Sequence, residues 1–261
     1  MRLLKLVMAY DGTAYVGWQR QPNGPSVQAL LEDALAPIAG APVTVHGAGR
    51  TDAGVHALGQ VASVSLTTRL DAPALVRALN ATLPPDIRVL AASEETPGFH
   101  ARYSATAKRY RYYLHTGPVV SPFAHRYVWP VANALDEAAM ADALDALVGR
   151  HDFAAFQAAG SGVATTERTV SSAHVEAAEP VWVDSTAATT GGRLLAVELE
   201  SDGFLRHMVR NVVGTLVEVG QRRRAAGDVR AILQSRDRRR AGPTAPARGL
   251  FLVGVRYAPA R

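Results

Sequence analysis

Residues Gly47-Ala48-Gly49-Arg50-Thr51-Asp52-Ala53-Gly54-Val55-His56-Ala57 crowd a carboxylate, a guanidinium and an imidazole into a stretch built largely of side chains too small to pack. That composition describes a site rather than a core. Glycines let backbone approach a ligand closely and turn through positive φ. Arg50 and Asp52 stand two apart, so in a locally extended segment they point the same way and present a cation and an acid to one space. Such a carboxylate can work as a nucleophile or as a general base. The bland alternative is a turn in which Asp52 caps the backbone and Arg50 is solvated.

Other residues narrow the chemistry. The sequence has no cysteine, which excludes disulfides, thiolate metal sites and a cysteine nucleophile. His56, His100 and His207 invite a metal, but no His-x-x-x-His pair exists and Asp52 and His56 lie in a glycine-containing loop, so no metal site is expected. The Gly12 to Gly17 region lacks a Walker or dinucleotide fingerprint, and no nucleotide cofactor is expected. Tyr110 and Tyr112 share one face of a predicted strand, as core packing or as a surface on which a base stacks. The net charge is +5, and of the 28 basic residues only Lys5 and Lys108 are lysines. Nine arginines crowd residues 222–248 with few acids between them, and guanidinium forks suit phosphate oxygens. Genomic base composition explains the Lys/Arg ratio but not that clustering.

The segment GAGRTDAGVHALGQVA closely resembles the active-site motif of the tRNA pseudouridine synthase A family. Four further blocks are similar to the same family, in order along the chain. They are Tyr10-Asp11-Gly12-Thr13 with Gly17-Trp18-Gln19-Arg20-Gln21-Pro22; Phe99-His100-Ala101-Arg102 running into Lys108-Arg109-Tyr110-Arg111-Tyr112; Asp202 to Asn211; and Ala241-Gly242-Pro243-Thr244-Ala245-Pro246. Five ordered blocks are far more specific than one short motif. The resemblance implies conversion of uridine to pseudouridine at positions 38, 39 and 40 of the tRNA anticodon stem-loop. It further implies cleavage of C1′–N1, rotation of the base and formation of C1′–C5, with Asp52 as nucleophile or base. By the same resemblance Tyr110 lies against the target uracil, Arg210 is the cationic partner of the acid, and Arg50 fills the gap left by the flipped base. Arg206, His207, Arg222, Arg223 and Arg224 are expected to contact RNA. The resemblance also implies a homodimer. Two other classes stay open, an RNA binder without catalysis and a metal-assisted nuclease using Asp52 and histidines.

These residues need a scaffold, and the periodicities supply one. Strands are predicted at Leu3 to Ala9, Val61 to Leu66 and Ile87 to Ala91, with one helix capped by Ser26 and another from Pro73 to about Leu83. The second half repeats this grammar: a strand at Tyr110 to His115, a helix at Asp136 to Val148, strands around Thr169 to Ala177 and Arg193 to Leu199, a helix from Phe204 to Val219 and a strand at Leu250 to Tyr257. On that helix Arg206 and Arg210 would lie one turn apart. The Gly160-Ser161-Gly162 and Gln221 to Gly227 segments read as loops. The expected fold is α+β: two similar ferredoxin-like subdomains, 1–104 with the catalytic loop and 105–261, a central antiparallel sheet, and a cleft between halves, the pseudouridine synthase fold. No secretory leader is expected, since Lys5 interrupts the apolar run after Met1-Arg2, and no stretch is long enough to cross a bilayer. A cytoplasmic protein is expected.

Overall fold

The computed structural model describes residues 1–160, 162–179 and 192–258. Two compact units emerge, Met1–Lys108 joined by the chain from Phe251 onward, and Arg109–Leu250.

In the first unit, strand β1 (Arg2–Tyr10) buries Leu4, Leu6, Met8 and Tyr10 at alternate positions, the signature of a strand with one face on a core. Helix α1 (Val27–Ala39) begins where the Ser26 side chain accepts from the Ala29 amide and ends at Gly40 in the left-handed region. The hydroxyl satisfies an orphan amide and glycine takes the positive φ without a Cβ clash, so both ends are written in the sequence. Strands β2 (His46–Gly47) and β3 (His56–Leu66) form a hairpin. Helix α2 (Ala72–Thr82) follows an Asp71 cap, and β4 (Ile87–Glu94) closes the run. The order is βαββαβ, and β1 lies between β4 and β3, with β2 on the far side of β3. This is the ferredoxin-like arrangement expected from the element order.

The hairpin's second strand starts at His56, not at Val61 as the alternation predicts. Gly59 and Gln60 read as loop residues, but a strand packs closely against them. A Cβ on Gly59 would stand 2.5 Å from the Val253 carbonyl oxygen. Val253 belongs to β10 (Leu250–Tyr257), which runs parallel to β3 with Phe251 and Leu252 opposite His56 and Ala57. That pairing is why the final strand counts with the first unit, whereas sequence order groups it with the second.

The second unit holds most of β5 (Ala105–Thr116), then β6 (Trp129–Val131), α3 (Glu137–Asp145), β7 (Gly149–Asp152), β8 (Glu167–Ala177), β9 (Arg193–Ser201), α4 (Met208–Gly220) and α5 (Asp228–Ser235). Its strand order is β5-β9-β8-β7, with β6 beside β5. Strands β6 and β7 and helix α5 are additions to the predicted elements. They are short and carry mostly polar or proline-containing sequence, and α5 is recognisable only by its buried Val229, Ile232 and Leu233. Ser161 lies outside the described residues. Among the described residues no helix is long and apolar enough to cross a membrane.

Candidate active site

Asp52 sits in the loop that joins β2 to β3, and its backbone is held from several directions. Thr51 is buried, its hydroxyl 2.8 Å from the Tyr10 hydroxyl, and its carbonyl accepts from the Trp18 amide at 3.1 Å. Asp52 forms an isolated antiparallel bridge with Gly17, and its carbonyl accepts from the Val55 amide at 3.1 Å. Ala48 donates to the Val61 carbonyl at 2.7 Å. Buried Gln60 donates to the Gly49 carbonyl at 2.9 Å and to the Tyr10 hydroxyl at 3.3 Å. Burial pushes the Tyr10 phenol up to about 12, while the hydrogen bonds with Thr51 and Gln60 act the other way. Asp52 itself is partly exposed and Arg50 exposed, so a rigid backbone presents the acid and the cation.

The glycines around this loop do different jobs. Of Gly47, Gly49 and Gly54, only Gly54 has a positive φ, at 75°. Gly47 is needed because the Trp18 indole would lie 2.5 Å from its Cβ, whereas Gly49 has only the Lys108 side chain nearby, at 3.7 Å. Gly17 has φ 108° and faces the Thr51 carbonyl so closely that a Cβ would stand 2.5 Å from it. The Gly12 and Gly17 block therefore seats the Asp52 loop. His56 belongs to the same seat: it is buried, its Nδ1 accepts from the Gly12 amide at 3.0 Å, and its ring stacks on Phe251 at 4.7 Å.

In the second unit Tyr110 is buried and meets Phe204 edge-on at 5.0 Å. Tyr112 is fully buried, donates to the Pro246 carbonyl at 2.8 Å, and has its phenol pKa pushed up by burial despite nearby Arg210 and Arg248. Arg210 is fixed on α4, its Nε donating to the Ala245 carbonyl at 2.7 Å while Ala245 donates back to the Arg210 carbonyl. Asn211, which sequence reasoning did not single out for a role, fastens the same region. Its Nδ2 donates to Phe156 and its Oδ1 accepts from Arg238 and from the Thr244 hydroxyl at 2.6 Å. A Cβ on Gly214 would stand 1.7 Å from the Pro243 carbonyl oxygen, so the Ala241-to-Pro246 block lies directly on α4.

One expectation needs correction. Arg206 is not one turn before Arg210 on a helix: His207 takes φ 60° and α4 starts at Met208, which breaks the helical register, and Arg206 donates to the Ala159 carbonyl at 3.3 Å. Arg109 and Arg111, on either side of Tyr110, are held by one acid. Both reach the buried Glu198 carboxylate on β9, Arg111 at 2.7 Å and Arg109 at 3.6 Å. The arginines at 222–224 differ in their partners. Arg222 pairs with Asp136 at 3.1 Å and Arg224 with Glu218 at 2.9 Å, while exposed Arg223 makes no ion pair among the described residues.

A profile of the tRNA pseudouridine synthase family matches residues 6–104 and 143–258, taking in the Asp52 hairpin and α4. The chain belongs to this family. It is similar to the tRNA pseudouridine synthase A of Syntrophotalea carbinolica, 48% identical over 259 residues covering 99% of this chain and 98% of that protein. The enzymes of that name from Moorella thermoacetica and Geobacter sulfurreducens are 47% and 44% identical, each covering 98% of this chain and all of the relative. Tyr110 lies outside the two profile segments but within the span of these near-full-length matches. As a member of the tRNA pseudouridine synthase family the protein is an isomerase, which sets aside the nuclease and the non-catalytic binder.

Proposed function

We propose that the enzyme converts uridine to pseudouridine at positions 38, 39 and 40 of the tRNA anticodon stem-loop, with Asp52 acting on the ribose. The observation that carries this reading is the fixed backbone around a partly exposed carboxylate: Thr51 is anchored to Tyr10 and Trp18, and Asp52 is bridged to Gly17. Holding a reacting group in place lowers the entropic part of a barrier. In the reaction C1′–N1 breaks, the freed uracil turns, and C1′–C5 forms; C5 loses a proton and N1 gains one, so no atom or electron is gained overall. Asp52 serves either by attacking C1′ or by taking a ribose proton to give a glycal, and both routes use its ionised form.

The remaining roles are proposed one by one, those of Tyr110, Arg210 and Arg50 on the family resemblance and the RNA contacts of the arginine run on its charge. Tyr110 stacks on the target base, Arg210 supplies positive charge for the acid, and Arg50 occupies the stack vacated by the flipped nucleotide, an extrusion that costs about a few kcal/mol. Arg206, His207 and Arg222 to Arg224 contact RNA, with Arg223 the member of that run that breaks no ion pair to do so. RNA of this form is read mainly by shape, 2′-hydroxyls and phosphates. The enzyme acts as a cytoplasmic homodimer without metal or nucleotide. The test is to incubate an unmodified tRNA transcript bearing uridines at 38, 39 and 40 with the enzyme and map pseudouridine by carbodiimide modification and primer extension. Stops at those positions support the assignment, and pseudouridine confined to other positions overturns it.

A further inference from the structure

The Phe99-His100-Ala101-Arg102 block has no part in the roles above, yet it builds an ordered surface. Tyr103 is 76% exposed, unusual for so large a ring. It is held in place nonetheless. The His100 ring lies 4.5 Å from it, the Arg102 guanidinium sits 5.5 Å from its centroid, and the His46 ring stands 4.9 Å from His100.

The turn beneath these rings is rigid. His100 Nδ1 accepts from the amides of Arg102 at 3.1 Å and Tyr103 at 3.4 Å, and the Ser104 hydroxyl and amide bond back to His100. Accepting at Nδ1 favours neutral imidazole, and burial, then His46 and Arg102, push the His100 pKa down. The turn is fastened to β3 and β10: the buried Ala101 amide donates to Ser63 Oγ at 3.1 Å and its carbonyl accepts from the Tyr257 hydroxyl at 2.7 Å. Ser63 is also the cross-strand partner of His46 on β2. The rings therefore stand at the foot of the hairpin whose loop carries Asp52, within the same unit.

We infer that His46, His100, Arg102 and Tyr103 form a stacking platform for an unpaired base of the RNA substrate, with Arg102 meeting the adjoining phosphate. A rigid exposed ring beside a guanidinium has the chemistry that unpaired nucleotides seek, because every base offers a π-face and every linkage a negative charge. Preorganisation removes the ordering cost that a flexible aromatic would incur on binding. This rests on the tRNA-isomerase reading above.

The test measures wild type, Tyr103→Ala, Tyr103→Phe and Arg102→Gln on one tRNA transcript, following KM and kcat, the salt dependence of binding, thermal unfolding and sedimentation. Losing a stacked base raises KM by about 5-fold to about 150-fold. Tyr103→Ala is expected to show that rise with kcat and unfolding temperature unchanged, and Tyr103→Phe to restore wild-type KM because the ring suffices. Arg102→Gln is expected to lower the slope of log affinity against log salt by about 1. An active wild type with unchanged KM in Tyr103→Ala overturns the platform, as does a change in sedimentation showing that Tyr103 holds two chains together. A wild type that forms no pseudouridine overturns instead the reading on which the platform rests.

Discussion

Gly17, which bridges to Asp52 from an earlier segment, and Gly49, which precedes it in the same loop, are both plain glycines in the sequence, yet alanine is expected to act differently at each. At Gly17 the backbone has φ 108°, and a new Cβ would stand 2.5 Å from the Thr51 carbonyl oxygen and 3.0 Å from the Asp52 carbonyl carbon. Both neighbours are backbone, so no side chain can rotate aside, and ordinary contact requires the Asp52 segment to retreat by about 0.9 Å. The disfavoured φ costs about 1–3 kcal/mol and the overpacking about 1–3 kcal/mol more. Stability should fall by about 2–6 kcal/mol, and a displacement near 1 Å at the reacting group should lower kcat about 100-fold. At Gly49 the nearest atom to a new Cβ is the end of the flexible Lys108 side chain at 3.7 Å, so stability should change by less than about 0.5 kcal/mol. Urea unfolding of both variants and turnover of Gly17→Ala on saturating tRNA decide the matter. A Gly17→Ala enzyme with wild-type stability and turnover, or a Gly49→Ala enzyme as unstable as Gly17→Ala, would refute the reasoning.

Three further outcomes follow from the same geometry. Glu198→Gln leaves Arg111 and Arg109 facing a neutral amide at a buried position and should cost about 2 kcal/mol in urea unfolding, without a change in the salt dependence of tRNA binding. The Tyr10 phenol ionises near pH 10 in the unfolded chain and about 12 in the folded one. Its contribution to stability is thus whole below about pH 10 and is lost as pH rises through about 12, so wild type should lose stability relative to Tyr10→Phe between about pH 10 and about pH 12; parallel curves would contradict the assignment. Arg223→Gln should lower the salt slope of tRNA binding by about 1, and Arg222→Gln and Arg224→Gln by less, since each of those guanidinia already pairs with a carboxylate; filter binding across a salt series reads all three.

Much of the scaffold is legible because its signals are local. Ser26 and Asp71 cap their helices through side-chain oxygens, and β1 alternates inside and outside with no long-range information required. What escaped depends on partners distant in sequence. Gly59 and Gln60 become strand residues because β10 pairs with β3, and nothing within the hairpin announces a strand that arrives almost two hundred residues later. Phe204-Leu205 continues the apolar pattern and so predicts an earlier start for α4, while the break is made by the left-handed backbone of His207. The arginines show the same limit: clustering is visible in the sequence, but the carboxylates of Asp136 and Glu218 that occupy two of them are set by the fold. Within the site, Asp52 was legible from its loop composition, whereas the buried Tyr10, Thr51 and Gln60 that fix it carry ordinary core and strand chemistry in their own segments.

The most direct test of the central claim is release of tritium from tRNA labelled at uridine C5, comparing wild type with Asp52→Asn, with RNA binding and thermal unfolding measured on the same preparations. Forming C1′–C5 must expel the label. Release by wild type that falls to background in Asp52→Asn, with tRNA still bound and the fold intact, is the predicted result. Release by Asp52→Asn at the wild-type rate would contradict the assignment of the reaction to this carboxylate.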